Sequence, residues 1–126
     1  MKQFHAIVIG ATGAVGRFLV SQLLENSRIK SVTIFVRKNI TFENKKLIVH
    51  KIDFSNIGEY RDKIVGDVLF SAMGTTLKDA GSRKKQYLVD YTYQYNFAKI
   101  ALKNGVKKYS LVSSVGANSK SLFFYP

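Results

Sequence analysis

The chain contains no cysteine, which excludes disulfides, thiolate metal sites and cysteine nucleophiles. Its two histidines, His5 and His50, are too few for a histidine-rich metal centre, and no metal site is expected. The only proline is Pro126, so no proline-rich linker divides the chain. No apolar run approaches the ~18 residues of a membrane span, and the opening MKQFHAIVIG lacks the layout of a secretory signal. The expectation is a soluble, cytoplasmic protein without a membrane partner. Acidic residues are also scarce: 8 Asp and Glu stand against 20 Lys and Arg, a net charge of +12. Such a field favours anionic partners, whether phosphorylated cofactors, nucleic acid or an acidic surface. The basic residues are scattered from Lys2 to Lys120, as on a solvated surface, so charge alone names no function.

What is present is an ordinary globular chain of 126 residues, 46% apolar and 22% charged, which argues for one folded domain and against disorder. The pattern alternates strands with helices. Phe4 to Ile9 is a short, nearly continuous apolar run ending in Gly10, as in a central parallel strand covered on both faces. From Ala14 to Asn26, Val15, Phe18, Leu19 and Leu23, with Val20 and Leu24 beside them, follow helical spacing. Residues 31–36, 47–52, 67–73 and 108–113 read as four further strands, and 55–66 carries a weak helical signal. A long helix is predicted over 85–104, with Val89, Tyr93, Phe97, Ile100 and Ala101 along one side and Asn104-Gly105 stopping it. Strands alternating with helices imply right-handed crossovers and a parallel sheet. The expected fold is α/β, a Rossmann-like doubly wound sheet of about five strands in the order 3-2-1-4-5.

The sharpest motif is Gly10-Ala11-Thr12-Gly13-Ala14-Val15-Gly16, directly after the first strand and opening the first helix. In such a turn one glycine allows the backbone to reverse, a second lets a pyrophosphate approach, and a third lets helix pack on strand. The amides at the helix N-terminus then hold the diphosphate. Three glycines spaced at three in this strand–turn–helix setting are far more specific than the bare pattern. The alternative is a tight turn that binds nothing.

An NAD site places a carboxylate about 20 residues further on, to accept hydrogen bonds from the ribose. Here that place, 21 residues after Gly16, holds Arg37, followed by Lys38. A guanidinium in place of a carboxylate suits a 2′-phosphate, and charge-assisted bonds of this kind are worth about 1.5–3 kcal/mol. NADP(H) is therefore expected over NAD(H), the competing view being that both cations are simply solvated. Arg17, beside the loop, reads as a solvated side chain. Asp53 ends the third strand, where it could meet an adenine amino group or cap a helix. Ser71-Ala72-Met73-Gly74-Thr75-Thr76 should line the crevice at the carboxyl edge of the sheet.

These segments together resemble the Tat-interacting-protein-like, NAD(P)-binding branch of the atypical short-chain dehydrogenases/reductases. The resemblance is carried by VIGATGAVGR (8–17), FVRK (35–38), Asp53-Phe54, DVLFSAMGTT (67–76), VDYTYQYNFAKIALKNGVKKYSLVSSVGA (89–117) and FFYP (123–126). It implies a cofactor-binding set of Gly10, Thr12, Gly13, Ala14, Val15, Gly16, Arg37, Lys38, Asp53, Phe54, Ala72, Met73 and Gly74. It also implies hydride transfer to or from a carbonyl or alcohol, with a serine polarising the substrate oxygen and a tyrosine handling the proton. Ser114 matches that serine, with Ser113 as a near alternative, and Tyr125 matches the tyrosine, 11 residues after Ser114. The family's lysine would fall at position 129, past Pro126, so residues 1–126 read as a single NAD(P)-binding domain short of its substrate-side segment. Without that cation a tyrosine of ordinary pKa is only about 0.1% ionised at pH 7, which leaves catalysis open.

Two other readings stand beside the oxidoreductase. One is a non-catalytic NADP-binding sensor or interaction protein. The other is a basic nucleic-acid module using Tyr87, Tyr91, Tyr93 and Tyr95 with Arg83-Lys84-Lys85. No RNA- or DNA-reading motif accompanies these residues, so a nucleic-acid partner is not expected. A sheet ending at five strands leaves an apolar edge, which predicts self-association. The small-molecule substrate is unknown from the sequence.

Overall fold

Alternate side chains along the central strands are apolar on both sides, and this double pattern decides the architecture. The computed structural model describes residues 2–72, 83–112 and 123–125, with 83–90 and 123–125 as backbone. Chain order is β1 (Phe4–Ile9), α1 (Ala14–Glu25), β2 (Ile29–Val36), β3 (Leu47–Lys51), a 3-10 helix (Phe54–Lys63), β4 (Val68–Ser71), α2 (Arg83–Lys103), β5 (Lys108–Leu111) and β6 (Phe123–Tyr125). The sheet runs β3-β2-β1-β4-β5-β6. Its first five strands are parallel, in the order 3-2-1-4-5 expected of a Rossmann-like fold.

Because side chains alternate across a strand, β1 sends Ala6 and Val8 to one face and Ile7 and Ile9 to the other. The first pair joins Val32, Ile34, Val68 and Phe70 against Leu19, Val20, Leu23 and Leu24 of α1. The second joins Phe35 and Leu69 against Phe97 and Ala101 of α2 and Phe54, Ile57 and Ile64 around the 3-10 helix. Each fully buried aliphatic or aromatic side chain contributes about 1.5–3 kcal/mol. Two helical layers on one sheet thus explain why β1 reads as an unbroken apolar run.

Some elements depart from the sequence reading. Phe18, expected on the buried stripe of α1, is 64% exposed. The buried face is set by Gly16, Leu19, Val20, Leu23 and Leu24, and residue 18 lies about 100° around the helix from position 19. The weak signal over 55–66 corresponds to the 3-10 helix, which Asn56 interrupts with non-helical angles (φ −121, ψ 39). A sixth strand, absent from the sequence reading, pairs antiparallel with β5 and covers the edge that five strands would have left.

The long helix ends as predicted. Gly105 takes φ +90 just beyond it, a conformation that disfavours side chains. Asn104 Nδ2 donates to the carbonyls of Arg61 (2.7 Å) and Ile64 (2.8 Å), tying the end of α2 to the 3-10 helix. On α2, Phe97 and Ala101 are buried and Tyr93 and Ile100 partly so; the side chain of Val89 lies outside the described set. Among the described residues, no helix is long and apolar enough to cross a membrane.

Candidate functional site

Beyond the carboxyl end of β1 the chain must turn sharply to enter α1, and the three glycines meet three different demands. Gly10 adopts φ 78, a left-handed conformation in which an L side chain is strained. At Gly16 a Cβ would stand 1.9 Å from the Gly10 carbonyl oxygen, so the close packing of α1 on this turn requires a hydrogen there. Gly13 is the N-cap of α1, with ordinary extended angles (φ −73, ψ 169) and no side-chain capping bond. A Cβ on Gly13 would meet only the Gly10 oxygen, at 3.8 Å, an ordinary contact. Nothing in the described protein requires that position to be bare.

The loop forms one wall of an open cleft of about 490 Å³, lined by Gly10, Ala11, Thr12, Gly13, Phe35, Val36, Arg37, Lys38, Asn39, Ile40, Phe54 and Ala72. The first-turn amides of α1 have no intrahelical acceptor, and no acidic side chain sits in that turn. The N-terminus therefore keeps its partial positive charge next to the cleft. Arg37 and Lys38 follow immediately on β2, both exposed, so loop and cations share one space.

Arg37 is also held from the far side. Its guanidinium carbon lies 5.2 Å from the centroid of the Phe54 ring and 5.7 Å from that of Tyr93. The two rings are themselves 5.9 Å apart, tilted by 30°. Arg37 and Phe54 separate the first cleft from a second of about 600 Å³, whose other lining residues are Lys51, Ile52, Asp53, Tyr60 and Tyr93. Asp53 caps the 3-10 helix, accepting from the Ser55 hydroxyl (2.6 Å) and amide (2.9 Å). Those two bonds, the hydroxyl's first, hold its carboxyl below the ordinary value despite a small opposing effect of burial.

At the end of β4, Ser71 is fully buried and donates to Gln94 Oε1 at 2.6 Å, under the strand that delivers Ala72 to the cleft. Burial pushes the phenol of Tyr109 up; hydrogen bonding with Ser71 works against that, and Tyr91 adds to it. Neither imidazole lines the cleft. His5 bonds through Nδ1 with Ser31 Oγ (2.6 Å) near the start of β1, and His50 packs against Phe35 from β3 (centroids 5.2 Å).

Of the residues singled out in the sequence, Gly10, Thr12, Gly13, Arg37, Lys38, Phe54 and Ala72 converge on the first cleft. Ala14 and Val15 form the first turn of α1 without lining it, Gly16 is buried beneath the turn, and Asp53 lines the neighbouring cleft. Met73, Gly74, Ser113 and Ser114 lie outside the described residues. The backbone of Tyr125 is in β6, in register with Tyr109 of β5. Sequence reasoning missed Asn39 and Ile40 as lining residues, although they directly follow Arg37-Lys38, and missed Tyr93 as a partner of Arg37, for which there is no local signal.

The profile of a protein family described as NAD(P)H-binding matches residues 10–125. The chain belongs to that family. This NAD(P)H-binding domain is 36% identical over 123 residues to "Protein FMP52, mitochondrial" of Candida albicans, an alignment covering 94% of this chain and 54% of the relative. It is 32% identical over 129 residues to "Protein HTATIP2" of Rattus norvegicus, covering 99% and 53%. The chain thus spans about half the length of the curated relatives it matches. Among solved structures, a short chain dehydrogenase family protein from Francisella tularensis superposes with a TM-score of 0.67 over 88% of this chain and 50% of that one. At 21% identity that likeness shows the fold alone. Sequence and fold agree on an NAD(P)H-binding domain built on a Rossmann-like parallel sheet.

The residues present fit such a dinucleotide. The uncovered Cα of Gly13, the amides at the start of α1 and two cations share the walls of a single cleft.

Proposed function

We propose that this domain holds NADP(H) in preference to NAD(H) and serves hydride transfer between that coenzyme and a carbonyl or alcohol. The diphosphate lies over Gly13 and the first turn of α1, with Gly10, Thr12, Ala14, Val15 and Gly16 shaping the turn. Arg37 and Lys38 contact the 2′-phosphate, Asp53 and Phe54 border the adenine, and Ala72, Met73 and Gly74 border the nicotinamide half. When bound, the coenzyme would supply the hydride to a carbonyl or accept it from an alcohol; Ser114 orients the substrate oxygen and Tyr125 gives or takes the proton of that oxygen.

One observation carries the reading. The position where an NAD site needs a carboxylate holds Arg37, and Arg37 lines the same cleft as the glycine turn. The test is calorimetry with NADPH and NADH on the parent and on Arg37→Asp. The parent is expected to bind NADPH more tightly. The variant should lose NADPH affinity by about 10- to 150-fold, with a far smaller change for NADH. Equal losses would refute the role of Arg37, and no heat with either coenzyme would refute the whole reading. Oxidation of NADPH by a panel of aldehydes and ketones then separates an enzyme from a nucleotide sensor. The reading includes self-association, supported by Tyr91, Tyr95 and Leu102, which α2 leaves exposed. It also includes a cytoplasmic location, which fractionation separates from the mitochondrial one in the Candida relative's name.

A further inference from the structure

We infer that Tyr93 is a positioning residue for coenzyme selection, its ring holding the Arg37 guanidinium at the edge of the nucleotide cleft. The inference rests on the proposed contact between Arg37 and the 2′-phosphate. It starts from an arrangement the glycine motif does not require. Arg37 is exposed at the end of β2, where an arginine would ordinarily sample many rotamers. Instead its guanidinium lies over two rings, Phe54 at 5.2 Å and Tyr93 at 5.7 Å, contributed by two other elements.

The chemistry of the group allows both tasks at once. A guanidinium stacks through its planar face, whereas its N–H donors lie in that plane and meet a phosphate edge-on. The two ring contacts therefore restrict the side chain beforehand. Less rotamer freedom is then lost when a phosphate arrives, which raises affinity for the ligand carrying one. NADH has no group at that place and draws no benefit. The two rings differ in what else they do. Phe54 is 5% exposed and belongs to the core, so its replacement disturbs folding, whereas Tyr93 is only partly buried at the core's margin. Tyr93 is thus the residue through which α2, packed on the face opposite α1, reaches the coenzyme-selecting cation.

The experiment titrates the full 126-residue chain with NADPH and NADH, comparing parent, Tyr93→Leu, Tyr93→Phe and Arg37→Ala. Tyr93→Leu is expected to weaken NADPH by about fivefold while changing NADH by less than about twofold, and Tyr93→Phe to keep the parent's ratio. Equal losses with both coenzymes would overturn the role, because a merely structural tyrosine acts on both. If Arg37→Ala shifts the ratio and Tyr93→Leu does not, the positioning role alone fails. If Arg37→Ala leaves the ratio unchanged, the reading of Arg37 fails and the inference with it. Nuclear Overhauser contacts between the Arg37 side chain and the Tyr93 ring in the unliganded parent give a check independent of any variant. Their absence would overturn the inference even if Tyr93→Leu did not fold.

Discussion

Gly16 rests against the carbonyl of Gly10 so closely that a methyl on it would lie 1.9 Å from the oxygen and 2.8 Å from the Ala11 Cα. The obstacles are backbone atoms, so neither can turn aside as a side chain would. The two glycines form the hinge on which α1 meets the sheet.

Gly16→Ala is accordingly expected to destabilise the fold by about 3 kcal/mol, the upper end of ordinary overpacking costs. Gly13→Ala should behave differently. Its new methyl meets only an ordinary contact at 3.8 Å, so stability should change by about 1 kcal/mol or less, the cost of an alanine N-cap. Its effect should fall on coenzyme affinity instead, by about tenfold, equivalent to 1.4 kcal/mol. Urea denaturation and calorimetry on the two variants separate these effects. A Gly13→Ala protein that binds like the parent would argue against diphosphate at that turn.

The end of α2 offers a second test. Asn104 donates through one amide nitrogen to two backbone carbonyls, Arg61 in the 3-10 helix at 2.7 Å and Ile64 just past its end at 2.8 Å. Asn104→Asp keeps the shape but faces both carbonyls with an acceptor, and should cost about 2–3 kcal/mol. Denaturant midpoints measure it, and a loss below about 0.5 kcal/mol would show that the clamp contributes little.

The third concerns pH. Burial, and then the charge of Lys63, hold the His50 imidazole below its ordinary value of 6.5. The unfolded chain therefore takes up this proton more readily than the folded one. The associated stability is complete above about pH 6.5 and is lost as pH falls through the lower folded value. Urea midpoints at about pH 7 and about pH 5 should thus differ less for His50→Gln than for the parent. The same difference in both proteins would assign the acid sensitivity to other groups.

Much of this was legible in the sequence because it is local. The Gly10–Gly16 turn, the two-faced strand β1 and the stop at Asn104-Gly105 each depend on residues adjacent in the chain. Phe18 misled because apolar character records what a residue could bury, not the exact arc of helix the sheet covers. The 3-10 helix was faint because its kink at Asn56 breaks the helical period. The pairing of Arg37 with Tyr93 was invisible for a different reason. It joins a strand end to a helix 56 positions later, and only the crossover topology brings them together. An exposed cation and a half-buried tyrosine each look ordinary alone.

The two faces of β1 cannot be told apart by polarity, since Ala6, Ile7, Val8 and Ile9 are all fully buried. They differ in bulk. The smaller pair looks toward the first helix, which the bare Gly16 already lets approach closely, and the larger pair toward the second. Exchanging Ala6 with Ile7 would preserve composition, charge and hydropathy while putting volume where the first helix needs clearance. Sidedness in β1 is therefore encoded in the girth of its side chains, a property that tolerates no shift of the strand by a single residue.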